Sequence, residues 1–194
     1  MKATKWKSYS LALIAGMSVL TACSSDDNND NGGNGNNGNG NEIENGTTLK
    51  GTITSDVTLT AGSTYKLSGE YIVEDGATLN IEAGVKIISI YDDIVDYILV
   101  KQGGKINAVG TSSAPIVMTS EKEEPGAWGG IHICGKAHTN AEGGKGSSEI
   151  GGATYGGNDD ADNSGTLKYV RVEYSGYAFD SEHEANGITF YGVG

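Results

Sequence analysis

The chain has 194 residues, with 13 Lys and Arg against 25 Asp and Glu, a formal net charge of −12. A polyanion of this kind repels nucleic acid and anionic lipid headgroups, which argues against a nucleic-acid partner. With only Cys23 and Cys134, no disulfide framework supports the fold, which must rest on core packing.

Residues 1–22 have the parts of an export signal: Lys2, Lys5 and Lys7, then an apolar run from Leu11 to Leu20, then small residues. The closing Leu20-Thr21-Ala22-Cys23 resembles the lipobox of bacterial lipoproteins. That resemblance implies diacylglycerol on the Cys23 sulfur, cleavage before Cys23 and acylation of the new amine. At about 0.8 kcal/mol per buried CH₂, two or three acyl chains anchor a protein stably where one would not. An ordinary signal peptide beside a chance cysteine is the competing reading. Loss of the three lysines takes the mature chain to −15. No later apolar stretch approaches the ~18 residues needed to span a bilayer.

Residues 23–46 are the lipidated Cys and a run of Ser, Asp, Asn and Gly with almost nothing to bury. Such a segment cannot offset its ordering entropy and is expected to be a disordered tether. Its reach as a flexible chain is roughly 25–30 Å. The acidic start, Ser24-Ser25-Asp26-Asp27-Asn28-Asn29-Asp30, resembles the signal that sends Bacteroidetes lipoproteins to the cell surface; a plain spacer explains it equally well.

From Thr47 the texture changes to short β-prone runs broken by Gly, Asn and Asp, with no apolar helical periodicity. Predicted strands include Tyr71-Ile72-Val73, Thr78-Leu79-Asn80-Ile81, Val85-Lys86-Ile87-Ile88, Tyr97-Ile98-Leu99-Val100, Ile116-Val117-Met118-Thr119 and Val170-Arg171-Val172-Glu173. They repeat. Gly76 to Ile81 lies over Gly103 to Ala108, and Gly130 to Gly135 over Gly187 to Gly192. Short strands repeating every 20–50 residues indicate a solenoid. Three strands and three turns per period fit a rung of a parallel β-helix, burying Leu79, Ile81, Ile106 and Ala108 down its axis. The alternative is an antiparallel sandwich, but Asn-Gly hairpin signals fall mostly in the tether.

Gly76-Ala77-Thr78-Leu79-Asn80-Ile81-Glu82-Ala83-Gly84, Ala114-Pro115-Ile116-Val117-Met118-Thr119-Ser120 and Pro125-Gly126-Ala127-Trp128-Gly129-Gly130-Ile131 carry a further resemblance. With Ser164 to Tyr174 and Glu184 to Ile188, they resemble a mostly uncharacterised family of Bacteroidetes surface lipoproteins. The likeness covers residues 48–194 and implies a right-handed parallel β-helix. It brings no catalytic residues. The expected domain is 47–194 with an insertion at about 136–166, and the stop at Gly194 inside a repeat unit suggests truncation.

Candidate sites each have a bland counterpart. Asp160, Asp162 and Ser164 before Gly165 follow the start of many Ca²⁺ loops, making calcium the one cofactor the sequence admits. The twelfth position from Asp160 is Arg171, which excludes an EF-hand, and acidic turns are ordinary loop chemistry. Asp92, Asp93 and Asp96 resemble the acid clusters of Ca²⁺-dependent polysaccharide lyases, with Arg171 as the base; solvated turn acids and a surface Arg171–Glu173 pair are the simpler reading. His132 should point outward above Thr189 as a surface histidine, His183 lies in a charge run, and Cys134 reads as a packing thiol. Trp128, Tyr155 and Tyr177, in or beside Gly-rich insertions, offer flat faces for glycan contact.

These readings add up to an expectation: a non-enzymatic lipoprotein, lipid-anchored at the bacterial outer membrane and facing the cell surface, with a polysaccharide or surface protein as partner. The alternatives are a lyase-like polysaccharide-active enzyme and an inert fragment of a longer adhesin-like protein.

Overall fold

The computed structural model describes residues 41–180 and 183–194. The signal, Cys23 and the expected tether as far as residue 40 lie outside the described residues, whereas residues 41–46, expected as its end, already belong to the solenoid: 41–43 pair as a strand with Val57–Leu59, and Ile43 packs on the core. The fold is all-β, a right-handed parallel β-helix.

Each coil presents three faces. The first face stacks β1 (Asn41–Ile43), β3 (Val57–Leu59), β5 (Thr78–Ile81), β8 (Lys105–Val109) and β13 (Gly165–Lys168) in parallel. The second and third begin as one bent strand per coil. The early residues of β2 (Thr48–Ile53) and β4 (Thr64–Val73) lie on the second face, their later residues on the third. In later coils the two faces are separate strands. β6 (Lys86–Ser89), β9 (Ile116–Ser120) and β14 (Val170–Val172) continue the second. β7 (Tyr97–Val100), β10 (Ile131–Cys134) and β15 (Ile188–Tyr191) continue the third. Backbone groups pair with the coils above and below, as a continuous ladder requires.

The expected repeats are the observed registers. Leu79 pairs with Ile106 and Ile81 with Ala108, all buried in one core. Ile131 pairs with Ile188, and His132 with Thr189. Alternation sends Tyr65, Ile87 and Met118 inward on the second face, and Tyr71, Ile98 and Ile131 inward on the third. These rows of apolar side chains are the favourable free energy of the fold.

The corner between the second and third faces grows along the axis. It is Lys50 in the first coil and Ser68-Gly69 in the next, then residues 90–96, 121–130 and 173–187. Gly69 makes the bend in β4 with φ 68°, and Ile94 packs within 3.4 Å of where its Cβ would stand. The buried Asp96 carboxylate holds this corner, accepting the Gly69 N–H and the Ser89 hydroxyl, the latter at 2.7 Å. Burial raises its pKa, opposed by those same hydrogen bonds.

A long excursion, residues 135–164, leaves the coil between β10 and β13. It contains a two-residue antiparallel pair, β11 (Gly146–Ser147) with β12 (Thr154–Tyr155). The Ser148 hydroxyl closes its turn, donating to the Ile150 carbonyl at 2.6 Å and accepting from the Ala153 N–H at 2.9 Å. The excursion folds back on the outside of the third face. Ala153 and Tyr155 pack with outward-facing Ile72, Leu99 and Cys134 into a second apolar cluster, outside the solenoid.

This cover corrects the expectation for His132. It does point away from the axis, in register with Leu99 and Thr189, but it is 0% exposed. Its Nε2 lies 2.8 Å from the Gly129 carbonyl and its Nδ1 3.4 Å from the Tyr191 hydroxyl. Nε2–H donating and Nδ1 accepting satisfies both nitrogens of a neutral ring. Burial lowers its pKa below the usual value.

Candidate functional site

The excursion also makes a cleft of about 370 Å³, lined by Glu74, Lys101, Gln102 and the backbone stretch 151–154. Glu74 and Lys101 each follow the last inward valine of the third face, Val73 and Val100, in successive coils. Both therefore leave the ladder outward at one level of the corner. Their Nζ–Oε1 distance is 2.6 Å, and each side chain is about one-third exposed. Half out of water, the pair is more strongly coupled than a surface pair and less costly than a fully buried one.

The cleft is braced from below. Gln102 Nε2 donates to the Gly135 carbonyl at 2.7 Å and to the Gly156 carbonyl at 2.8 Å. One amide thus ties the start of the excursion and a point on its return, Gly156, to the corner beside Lys101. Asp75 and Lys136, 3.9 Å apart, close over Gly103. Gly103 has φ 83°, a backbone that strains any side chain, so that crossing favours glycine. A carboxylate and an ammonium side by side in a cleft can hold sugar hydroxyls and a sugar carboxylate, and can move a proton.

The residues singled out in the sequence do not assemble here. Asp92 accepts the Ile94 N–H at 2.8 Å within its own loop, Asp93 is exposed and Asp96 is the buried corner brace. Arg171 is committed to Glu173 on the outside of the second face. Among the described residues, no three or more His, Cys, Asp and Glu are grouped to hold a metal ion.

The Asp160 carboxylate accepts the His138 N–H at 2.9 Å, and Asp162 accepts the Ser164 hydroxyl at 2.9 Å. These residues rim a hollow of about 570 Å³ floored by Ile106, Ile133 and Leu167. Trp128 is 1% exposed, its indole N–H donating to the Glu173 carbonyl at 2.7 Å, so it is a wedge in the corner with no free face. Tyr155 is half-buried against Tyr191, ring centroids 5.0 Å apart, and Tyr177 meets Phe179 edge-on at 5.1 Å. His183 pairs with Asp180 at 2.9 Å. The Cys134 thiol is buried, which pushes its pKa up to about 11, far from a reactive thiolate.

Glu74, Lys101 and Gln102 had a signal in the sequence. The spacing that sets Gly76 over Gly103 also sets Glu74 over Lys101, opposite charges at one level of adjacent coils.

A three-faced parallel β-helix with a polar cleft at one corner defines a class of scaffold shared by binding proteins and polysaccharide-active enzymes. Residues 51–194 match the family described as pectate-lyase like beta helix domain, and the chain belongs to that family. No curated protein and no solved structure matches. Membership corrects the expectation of a non-enzymatic protein. The chain's kinship is with a lyase-like fold, and that points to catalysis.

Proposed function

We propose that the protein is a lyase-like polysaccharide-active enzyme that engages its polymer at the Glu74–Lys101 cleft. The observation that carries this reading is an ion pair one-third exposed in a braced cleft, on a scaffold of the pectate-lyase-like family. The elimination it would perform removes a proton beside a uronate carboxylate. The C–H electron pair becomes the new C=C bond, and the glycosidic C–O bond breaks toward the departing sugar. In this reading the Lys101 side chain, as the free amine, takes the proton, Glu74 hydrogen-bonded to it holds it toward the sugar, and the departing sugar oxygen is protonated by water.

Incubation with polygalacturonate, followed by the ultraviolet absorbance of unsaturated sugar ends, is the assay. Lys101→Ala is expected to remove the signal while leaving the melting temperature nearly unchanged. A wild-type chain that yields no unsaturated ends from polygalacturonate, alginate or a glycosaminoglycan overturns the reading.

We also infer the location from sequence pattern: signal 1–22, lipid on Cys23, a tether ahead of β1, and display from a bacterial outer membrane of the Bacteroidetes type. Labelling with a radioactive fatty acid tests it. Label should be lost in Cys23→Ser, which removes the accepting sulfur. Label that persists in that variant defeats the lipobox assignment.

A further inference from the structure

Both amide hydrogens of Gln102 are spent at the neck of the excursion, on the Gly135 carbonyl at 2.7 Å and the Gly156 carbonyl at 2.8 Å. A carbonyl only accepts, so the atom that faces both is the nitrogen, and the partners settle which way the amide lies. The neck is closed on itself as well, the Gly156 N–H donating to the same Gly135 carbonyl at 2.9 Å. In a planar amide the oxygen diverges from the nitrogen, so Oε1 is turned away from the two carbonyls. Gln102 lines the cleft with Glu74 and Lys101. What it has left to offer a ligand there is one fixed acceptor and no donor.

That leftover atom sorts the groups of a polyuronate. The ionised carboxylates and the ring and glycosidic oxygens of such a polymer only accept, and its hydroxyls alone donate. The acceptor therefore repels a sugar carboxylate and matches a hydroxyl. Its two neck hydrogen bonds hold it in place before the polymer arrives, so binding does not have to order it.

We propose that Gln102 is a specificity-determining residue of the cleft, its Oε1 accepting from a ring hydroxyl, so that the cleft takes polyuronate with free hydroxyls and turns away the O-acetylated polymer. The proposal rests on the polymer reading of the Glu74–Lys101 cleft. An acetylated hydroxyl has no proton to donate and leaves the amide oxygen unpaired, and a site built to hydrogen-bond a hydroxyl discriminates against a ligand that lacks it.

The test is affinity electrophoresis of the full chain in native gels containing polygalacturonate, or the same polymer acetylated on its ring hydroxyls with its carboxylates intact. The wild-type chain should bind the free polymer about tenfold more tightly than the acetylated one. Gln102→Lys keeps donors for the two neck carbonyls and carries no acceptor. Its added charge strengthens binding to both polymers alike, so the readout is the ratio between them, which should fall to about one while the melting temperature stays near that of wild type. Gln102→Met, with neither donor nor acceptor, should bring the ratio to the same value. Equal binding of the two polymers by the wild-type chain overturns the proposal. So does a tenfold ratio that survives in Gln102→Lys, because the brace alone then decides the preference. Retardation by neither polymer defeats this proposal and the polymer reading together. Discrimination without unsaturated sugar ends supports the hydroxyl contact and removes only the lyase chemistry.

Discussion

The outer surfaces of the second and third faces start from the same ladder and end differently. On the second face, Lys86, Val117 and Arg171 stand in one outward row, with Lys86 and Arg171 in water. On the third face the outward row, Ile72, Leu99, His132, is apolar or neutral and lies under the excursion. What separates the faces is the cover on one of them together with the outward side chains that match it, apolar beneath the excursion and charged where there is none. A parallel β-helix therefore fixes which residues point in or out, while its excursions decide whether "out" means solvent. The candidate sites follow the excursion: its middle, 151–154, lines the cleft, and its return stretch, 160–164, lines the hollow.

The sharpest break of this comparison is in the shared ladder. Leu79→Ala or Ile106→Ala should cost about 2–5 kcal/mol, since each removes a fully buried aliphatic side chain whose neighbours belong to other coils. Urea denaturation gives the value. A cost under 1 kcal/mol at both positions means the axis is not closely packed there.

The cover on the third face gives a pH-dependent effect of intermediate size. His132 has a folded pKa below its ordinary value of about 6.5. Above that value the ring is neutral in both states and pH has no effect through it. As pH falls below it, the unfolded chain takes a proton that the folded chain refuses. Stability is then lost at up to about 1.4 kcal/mol per pH unit until the folded ring also protonates. His132→Gln should flatten the slope between wild type and variant in that window. Parallel stability curves between pH 4 and 7 would mean that the ring is not sealed.

Most of the ladder was legible in the sequence because it repeats. Gly76 to Ile81 over Gly103 to Ala108 is a register, and it also contains the Glu74–Lys101 pair two residues upstream. His132 was legible only halfway. Alternation gives its direction, but not the partners that enclose it, the Gly129 carbonyl and the stacked ring of Tyr191. Trp128 misled in the same way, because a tryptophan among glycines reads as a loop residue until its indole is seen hydrogen-bonded beneath the Glu173 carbonyl. The left-handed backbone at Tyr169, φ 51°, and Tyr174, φ 60°, was hidden for the opposite reason. Tyrosine is a good strand former, so nothing in their identity announces a left-handed backbone.

At the excursion's far root, calcium on Asp160, Asp162 and Ser164 is a proposal that the sequence pattern motivates. For a site with Kd near ~10⁻⁴ M, millimolar calcium adds roughly 1.4 kcal/mol, a rise of a few degrees in melting temperature. Magnesium should do less, since it demands a tighter octahedron and sheds water reluctantly. Asp160→Asn with Asp162→Asn should abolish the shift. An unchanged curve at 5 mM calcium leaves both carboxylates with the loop hydrogen bonds they already make.

The smallest effect belongs to the uncovered face. Lys86 sits outward between Thr64 and Val117, exposed, on a strand whose inward neighbours Val85 and Ile87 are buried. Its side chain keeps its ammonium in water in both folded and unfolded states, so truncation removes little that folding gained. Lys86→Ala should therefore change stability by no more than about 0.5 kcal/mol. The matched experiment is Leu99→Ala, an outward residue on the covered face, where the same alternation predicts surface behaviour and the cover predicts core behaviour. With Leu99 fully buried, that substitution should cost about 2 kcal/mol or more. Equal, small costs at the two positions would show that the excursion adds no packing to the third face, and the contrast between the faces would collapse.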